Sequence, residues 1–195
     1  FQSVKLKFAG GESTMNFSLL LELYDYAQSQ VLEKGLGLAG VVLTNGVGIT
    51  ERMIDALQER KLKLSISLDG VGEYHDAQRK FINGKGSFHL VERSLDRLAA
   101  RGLVPSITIT VSNRNLDGLP QVVDFVLQRN LPFTINFYRE NESHFELLTW
   151  FRQYDRPVEV CMKGLNTSIG SISFGNEFVL QNTAEYLCGT GLIDV

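Results

Sequence analysis

Between residues 4 and 137 the apolar side chains recur with two periods that take turns along the chain. Val4, Leu6 and Phe8 alternate with Lys5 and Lys7, the two-residue rhythm of a strand with one buried face. Leu19, Leu20, Leu23, Tyr26 and Ala27 then recur at helical steps, which predicts a helix with those residues inward. Gly35, Gly37 and Gly40 read as a loop before a second strand at Val41-Val42-Leu43. The spacing next predicts a helix over 50–60, with Met53, Ile54 and Leu57 inward, and a strand over 62–68 with Leu62, Leu64, Ile66 and Leu68 on one face. A helix over about 87–101 follows, carrying Phe88, Val91, Leu95 and Leu98, and then the strand 106–111, the helix 116–128 and the strand 133–137. Strands alternating with helices at this rhythm imply an α/β fold, a parallel sheet or barrel wound in right-handed units. From Asn141 the rhythm weakens into a helix near 146–153, an apolar stretch over 158–165 and a Gly/Ser-rich tail, so a subdomain change is expected near residue 140.

Composition narrows the class. A chain of 195 residues that is 44% hydrophobic can bury a sizeable core. A net charge of -3 without a basic run argues against a nucleic-acid partner or an anionic membrane surface, and no apolar segment approaches the length of a membrane span. Two cysteines, Cys161 and Cys188, are too few for a disulfide framework and suit a reducing cytoplasm. Residues 1–3, Phe1-Gln2-Ser3, match the tail of a protease-cleavable expression tag, so native sequence is expected to begin near Val4.

The chemistry gathers at the strand exits. Phe8 is followed by Gly10-Gly11-Glu12, Leu43 by Thr44-Asn45-Gly46, and the third strand runs through Ser67 to Asp69 before Gly70. In a barrel such exits converge on one face, where ligands bind. Two glycines let a small molecule approach the backbone, and Glu12 offers the negative charge that a ligand ammonium needs. Each exit taken singly is an ordinary turn, since Asn45-Gly46 and Asp69-Gly70 both suit one. His75 and Asp76 stand side by side in what reads as a loop, while His89 and His144 are isolated and expected at the surface.

Together these motifs resemble the radical S-adenosylmethionine (SAM) superfamily, specifically the peptide- and protein-modifying branch with a C-terminal SPASM extension, typified by anaerobic sulfatase maturases. The likeness runs through Phe8-Ala9-Gly10-Gly11-Glu12-Ser13-Thr14-Met15, where the family usually has Pro in place of Ser13. It continues in Leu43-Thr44-Asn45-Gly46, in Ser65-Ile66-Ser67-Leu68-Asp69-Gly70, in His75-Asp76 and Arg79, and in Gly84-Lys85-Gly86-Ser87-Phe88, all in family order. The resemblance implies a partial (β/α) TIM-type barrel over 4–140, lacking the first strand and cluster loop, and a stretch over 141–195 that leads into a shortened SPASM region. It implies that the carbonyls of Gly10 and Gly11 and the carboxylate of Glu12 take the SAM ammonium. Ser67 and Asp69 would hydrogen-bond the ribose, with Asn45 touching ribose or capping its turn. Arg79 would fork onto the SAM carboxylate, and Val111, Phe137 or Tyr138 would lie against adenine. His75 and Asp76 would order the loop leading to Arg79.

The resemblance also implies a four-iron four-sulfur cluster on three cysteines spaced C-x-x-x-C-x-x-C, none of which this chain has, so its chemistry is expected only of a longer parent. Cys188 matches the first auxiliary-cluster ligand of a SPASM region, again only in that parent, and Cys161 fits no motif. The implied parent is an enzyme that cleaves SAM to a 5′-deoxyadenosyl radical and modifies a peptide or protein. A strand left at the edge by truncation is expected to pair with another copy. Two rivals stay open. One is a non-radical β/α-barrel lyase or aldolase, against which stands the outward placement expected for Lys5, Lys7 and Lys63. The other is a degenerate SAM-binding module without catalysis.

Overall fold

A computed structural model describes residues 3–112 and 114–137. The strand β1 (Ser3–Phe8) keeps its alternation, with Lys5 and Lys7 exposed and Val4, Leu6 and Phe8 half-buried. A turn of 3-10 helix (Ser13–Asn16) leads into α1 (Phe17–Glu33), followed by β2 (Gly37–Thr44), α2 (Glu51–Glu59), β3 (Lys63–Ser67) and α3 (Glu73–Gln78). Then come α4 (Phe88–Ala100), β4 (Ser106–Val111), a 3-10 turn (Leu116–Gly118), α5 (Leu119–Gln128) and β5 (Phe133–Phe137). The fold class is α/β, a partial barrel of the kind the alternation implies. No helix among the described residues is long and apolar enough to cross a membrane.

These residues fall into two compact units. Among the described residues the first draws on 3–67 and 87–107, the second on 68–86, 108–112 and 114–137. In the first, β1, β2 and β3 lie in that order and run parallel, with Phe8 opposite Val42 and Val42 opposite Leu64. Among the described residues β1 pairs on one side only. The opening of β4 follows β3, where the Ser106 hydroxyl donates to the Leu64 carbonyl at 3.4 Å. Val42, Leu64 and Ile66 are buried, as are Ile54 and Leu57 of α2 and Val91, Leu95 and Leu98 of α4, so strand faces and helix stripes are both withdrawn from water. The Thr50 hydroxyl accepts the Met53 N–H and starts α2. In the second unit the rest of β4 lies beside β5. Ile109, Val111, Leu119, Val122, Val126 and Phe133 are buried there.

Four local expectations change. In α1 the buried seam is Leu20 and Tyr24, and Leu19, Leu23 and Tyr26 stand 46%, 50% and 67% exposed. The helix is apolar on several sides, so periodicity alone does not choose its inner face. The glycines ahead of Val41 are not all loop, because Gly37 and Gly40 belong to β2. A Cβ on Gly40 would stand 2.2 Å from Leu62 Cδ2 and 2.6 Å from Tyr24 Cε2, so glycine is what lets those side chains close over the strand. The supposed loop around His75 is the helix α3, with His75 fully buried. The helix expected over 116–128 begins as a 3-10 turn, and Pro120 sits in the first turn of α5, where a missing N–H costs nothing.

Candidate functional site

In the first unit the exits of β1 and β2 are tied together by Glu12. Its Oε1 accepts the Thr14 N–H at 3.1 Å and the Thr14 hydroxyl at 2.6 Å, and its Oε2 accepts the Asn45 N–H at 2.7 Å. The Ser13 hydroxyl adds a donation to the Leu43 carbonyl. Partial burial resists ionisation of Glu12, but the hydrogen bonds from Thr14, Thr44 and the Asn45 backbone outweigh it and hold the carboxyl below its ordinary value. Glu12 is therefore a fixed negative charge at neutral pH. Asn45 closes its own turn, its Oδ1 accepting the Val47 N–H at 2.8 Å, while the Gly46 N–H donates to Thr44 Oγ1 at 3.1 Å.

Gly10 and Gly11 adopt φ of +106° and +49°, and among the described residues, chain neighbours aside, no atom lies within 4 Å of where a Cβ would stand on either. Their backbone is open to approach, and the conformation is one that side-chain-bearing residues rarely hold. Gly11→Ala should thus cost about 1 kcal/mol by urea denaturation, from strain alone. A loss above about 3 kcal/mol would mean that the open space is filled by the protein.

In the second unit a polar knot surrounds Asp69, which is only 3% exposed. Its N–H donates to His75 Nδ1 at 3.2 Å, and its carbonyl accepts from Asn115 Nδ2. Its Oδ1 accepts the Thr110 N–H at 2.8 Å and its Oδ2 takes Arg79 Nε in an ion pair. Where Leu68 N–H still reaches the Thr108 carbonyl at 3.0 Å in ladder fashion, one residue on the Asp69 carboxylate takes over the role of backbone acceptor for β4. Asn115 also donates to the Thr110 carbonyl at 2.9 Å and accepts the Ser112 N–H at 2.7 Å. Gln78 completes the fastening of α3, with Nε2 donating to the Thr110 carbonyl at 3.3 Å and Oε1 accepting the Ser112 hydroxyl at 3.0 Å.

Burial pushes His75 down to about 4, further lowered by Arg79 and opposed by Asp69 and Asp76. It is a neutral ring whose Nδ1 accepts, so its proton resides on Nε2. That is a structural role rather than an acid–base pair with Asp76. Two glycines serve packing here, since a Cβ on Gly118 would stand 2.3 Å from Tyr74 Cγ and one on Gly70 2.6 Å from Tyr74 Cβ.

The other sequence candidates are placed as follows. Ser67 ends β3 and is half-buried, Val111 is fully buried in line with Ile107 and Ile109, and His89 is exposed on α4. Lys5, Lys7 and Lys63 are exposed. Tyr138, His144, Cys161 and Cys188 lie outside the described residues, as does the side chain of Phe137. Asn115, Thr110 and Gln78 were not legible as site-builders. A buried Asn beginning a 3-10 turn just past a strand was the one available signal.

No protein-family model matches the chain. It is 30% identical over 124 residues to an uncharacterised protein of Methanocaldococcus jannaschii, covering 64% of this chain and 42% of that one. It is 27% identical over 140 residues to the serine-type anaerobic sulfatase-maturating enzyme of Bacteroides thetaiotaomicron, covering 70% of this chain and 30% of that protein. It is 34% identical over 119 residues to the mycofactocin maturase MftC of Mycolicibacterium smegmatis, covering 60% and 28%. The chain thus spans well under half the length of the curated relatives it matches. Among solved structures, native anSMEcpe with bound AdoMet superposes with a TM-score of 0.71 at 21% identity, covering 84% of this chain and 49% of that one. Streptococcus suis SuiB bound to S-adenosylmethionine gives 0.58 at 16% identity, covering 90% and 43%. These likenesses show the fold.

Proposed function

We propose that this chain, which resembles the radical SAM, SPASM-type maturases in sequence and in fold, is the SAM-binding part of an enzyme that modifies a peptide or protein. The observation that carries the reading is the sequence relationship to named maturases, at 27–34% identity over 115 to 140 residues. Neighbours of the same fold hold AdoMet, and two of them also hold a peptide.

Each unit, taken by itself, carries groups suited to part of SAM, and this supports the reading. Gly10 and Gly11 leave their backbone open, and Glu12 is an anchored carboxylate, which together suit an ammonium group. Arg79 is the cation for the SAM carboxylate, a planar fork that Lys does not replace. Ser67 serves the ribose hydroxyls. Tyr138 remains the proposed neighbour of adenine, whereas Val111, given the same role by the resemblance, has no exposed surface and serves packing, and Asn45 holds the Glu12 turn. When bound, SAM supplies a sulfonium whose carbon–sulfur bond breaks on reduction. A four-iron four-sulfur cluster does not pass the same test. The chain has two cysteines, and among the described residues no group of three or more His, Cys, Asp or Glu side chains is arranged to hold a metal. No step of the reaction is therefore assigned to a cluster on these residues.

The test is isothermal titration with SAM. Arg79→Ala should weaken binding by about 1.5–3 kcal/mol, the scale of a lost charge-assisted hydrogen bond, with thermal unfolding showing that the variant stays folded. Equal affinity in the wild type and the variant would remove Arg79 from the site.

A further inference from the structure

We propose that Asp69 and Asn115 are positioning residues for Arg79, and that Asp69 influences a bound SAM only through that arginine; the proposal rests on the SAM reading above. The sequence motif puts Asp69 at a strand exit, where a carboxylate invites assignment to the ribose. Its surroundings assign it otherwise. All four of its polar handles are engaged within its own unit, by His75, Asn115, Thr110 and Arg79. At 3% exposure it has little surface to give a ligand, whereas the Arg79 side chain is 34% exposed.

The arrangement suits a support. An arginine side chain has several freely rotating bonds, and a ligand that must order it forfeits binding energy. Asp69 removes part of that cost by gripping Nε, the guanidinium nitrogen nearest the chain. Asp69 is itself held on both sides of its carboxylate. The Thr110 N–H sets Oδ1, and Asn115 pins the backbone carbonyl of the same residue to the exit of β4. Arg79 follows directly on α3, and Gln78, the last residue of that helix, reaches the Thr110 carbonyl as well. Backbone and side chain of the arginine are thus referred to one anchor. Asp69 also places a negative charge beside Arg79, which opposes recruitment of a carboxylate. Attraction of a carboxylate gives no reason for an aspartate beside Arg79, whereas orientation of the guanidinium does.

Asp69→Asn keeps the volume and an oxygen for Thr110 but turns an N–H donor toward Arg79 Nε–H. Affinity for SAM should fall about tenfold. Affinity for 5′-deoxyadenosine, which has the ribose and adenine but no amino-acid end, should be unchanged. In an Arg79→Gln background the same change should have no further effect on SAM. A loss for 5′-deoxyadenosine, or a loss that persists without Arg79, would overturn the proposal in favour of direct ribose contact. Wild-type affinity for SAM in Asp69→Asn would overturn it outright. If the wild type binds no SAM, the SAM reading fails, and the positioning claim is still decided by nitrogen-15 spectra. The Arg79 Nε–H resonance should be protected from water exchange in the wild type and lose that protection in Asp69→Asn. An unprotected Nε–H in the wild type would sink the grip itself, and needs no variant that folds.

Discussion

Replacing Asn115 by Leu should destabilise the protein by about 4 kcal/mol, a large share of the roughly 5–15 kcal/mol that holds a typical domain folded. The side chain is 1% exposed and joins three backbone groups, the carbonyls of Asp69 and Thr110 and the N–H of Ser112. Leucine fits the volume but satisfies none of them. The Thr110 carbonyl keeps its bond from Gln78, so the loss falls on two buried groups left without this partner, each worth roughly 1–3 kcal/mol, together with the mismatch of an apolar side chain among them. Urea denaturation followed by circular dichroism is the measurement. A shift below about 1 kcal/mol would mean that water or another side chain takes over these bonds.

The second large effect is acid destabilisation through His75. Its folded value is about 4 against an ordinary 6.5, so between those values the unfolded chain binds the proton that the folded chain refuses. Stability is full above about pH 6.5 and is lost as the pH falls toward 4, by about 3 kcal/mol in all. Protonation would place a second cation next to Arg79 and turn Nδ1 from an acceptor for the Asp69 N–H into a donor facing it. Glu12 acts in the same sense at lower pH, because its lowered value gives stability that is present above 4.5 and disappears below it. Unfolding free energies measured from pH 7 to pH 4 should slope downward in the wild type, with a shallower slope in His75→Gln. Parallel slopes would show that His75 is free to ionise in the folded protein.

Much of this architecture can be read from the chain, and the reasons for success and failure are physical. Residues 62–68 announced a strand because each buried leucine or isoleucine alternates with a polar neighbour, and α2 and α4 announced themselves because their apolar residues form one stripe. The stretch Phe17–Glu33 gave the helix but not its face. There Leu19 and Leu23 are as apolar as Leu20, and the inward face is marked by the distant partners of Tyr24, the Phe8 ring edge-on at 6.5 Å and the Arg60 carbonyl that accepts its hydroxyl at 3.3 Å. Gly40 looked like a loop residue because its reason for being glycine, the approach of Leu62 and Tyr24, comes from distant parts of the sequence. The strand exits could be located the same way, since Gly-Gly-Glu and Leu-Asp-Gly punctuate the pattern. The partners of Asp69 could not, because Asn115 and Thr110 stand more than forty residues away and local spacing does not encode such pairings.

The turn at Ser13 shows two materials doing one job. The residue opens a 3-10 turn behind an extended Glu12, the two circumstances in which a proline is accepted without distortion. Here a hydroxyl tethered to the Leu43 carbonyl stands in its place. Proline would stiffen the turn by narrowing the unfolded chain's choices, a contribution that grows with temperature, whereas serine grips the neighbouring strand through an enthalpic bond that weakens on heating. The corner is thus closed by a latch where a permanent hinge pin would also fit, and Gly-Gly-Glu should loosen sooner in a warm solution than the same corner built on proline by a Ser13→Pro change.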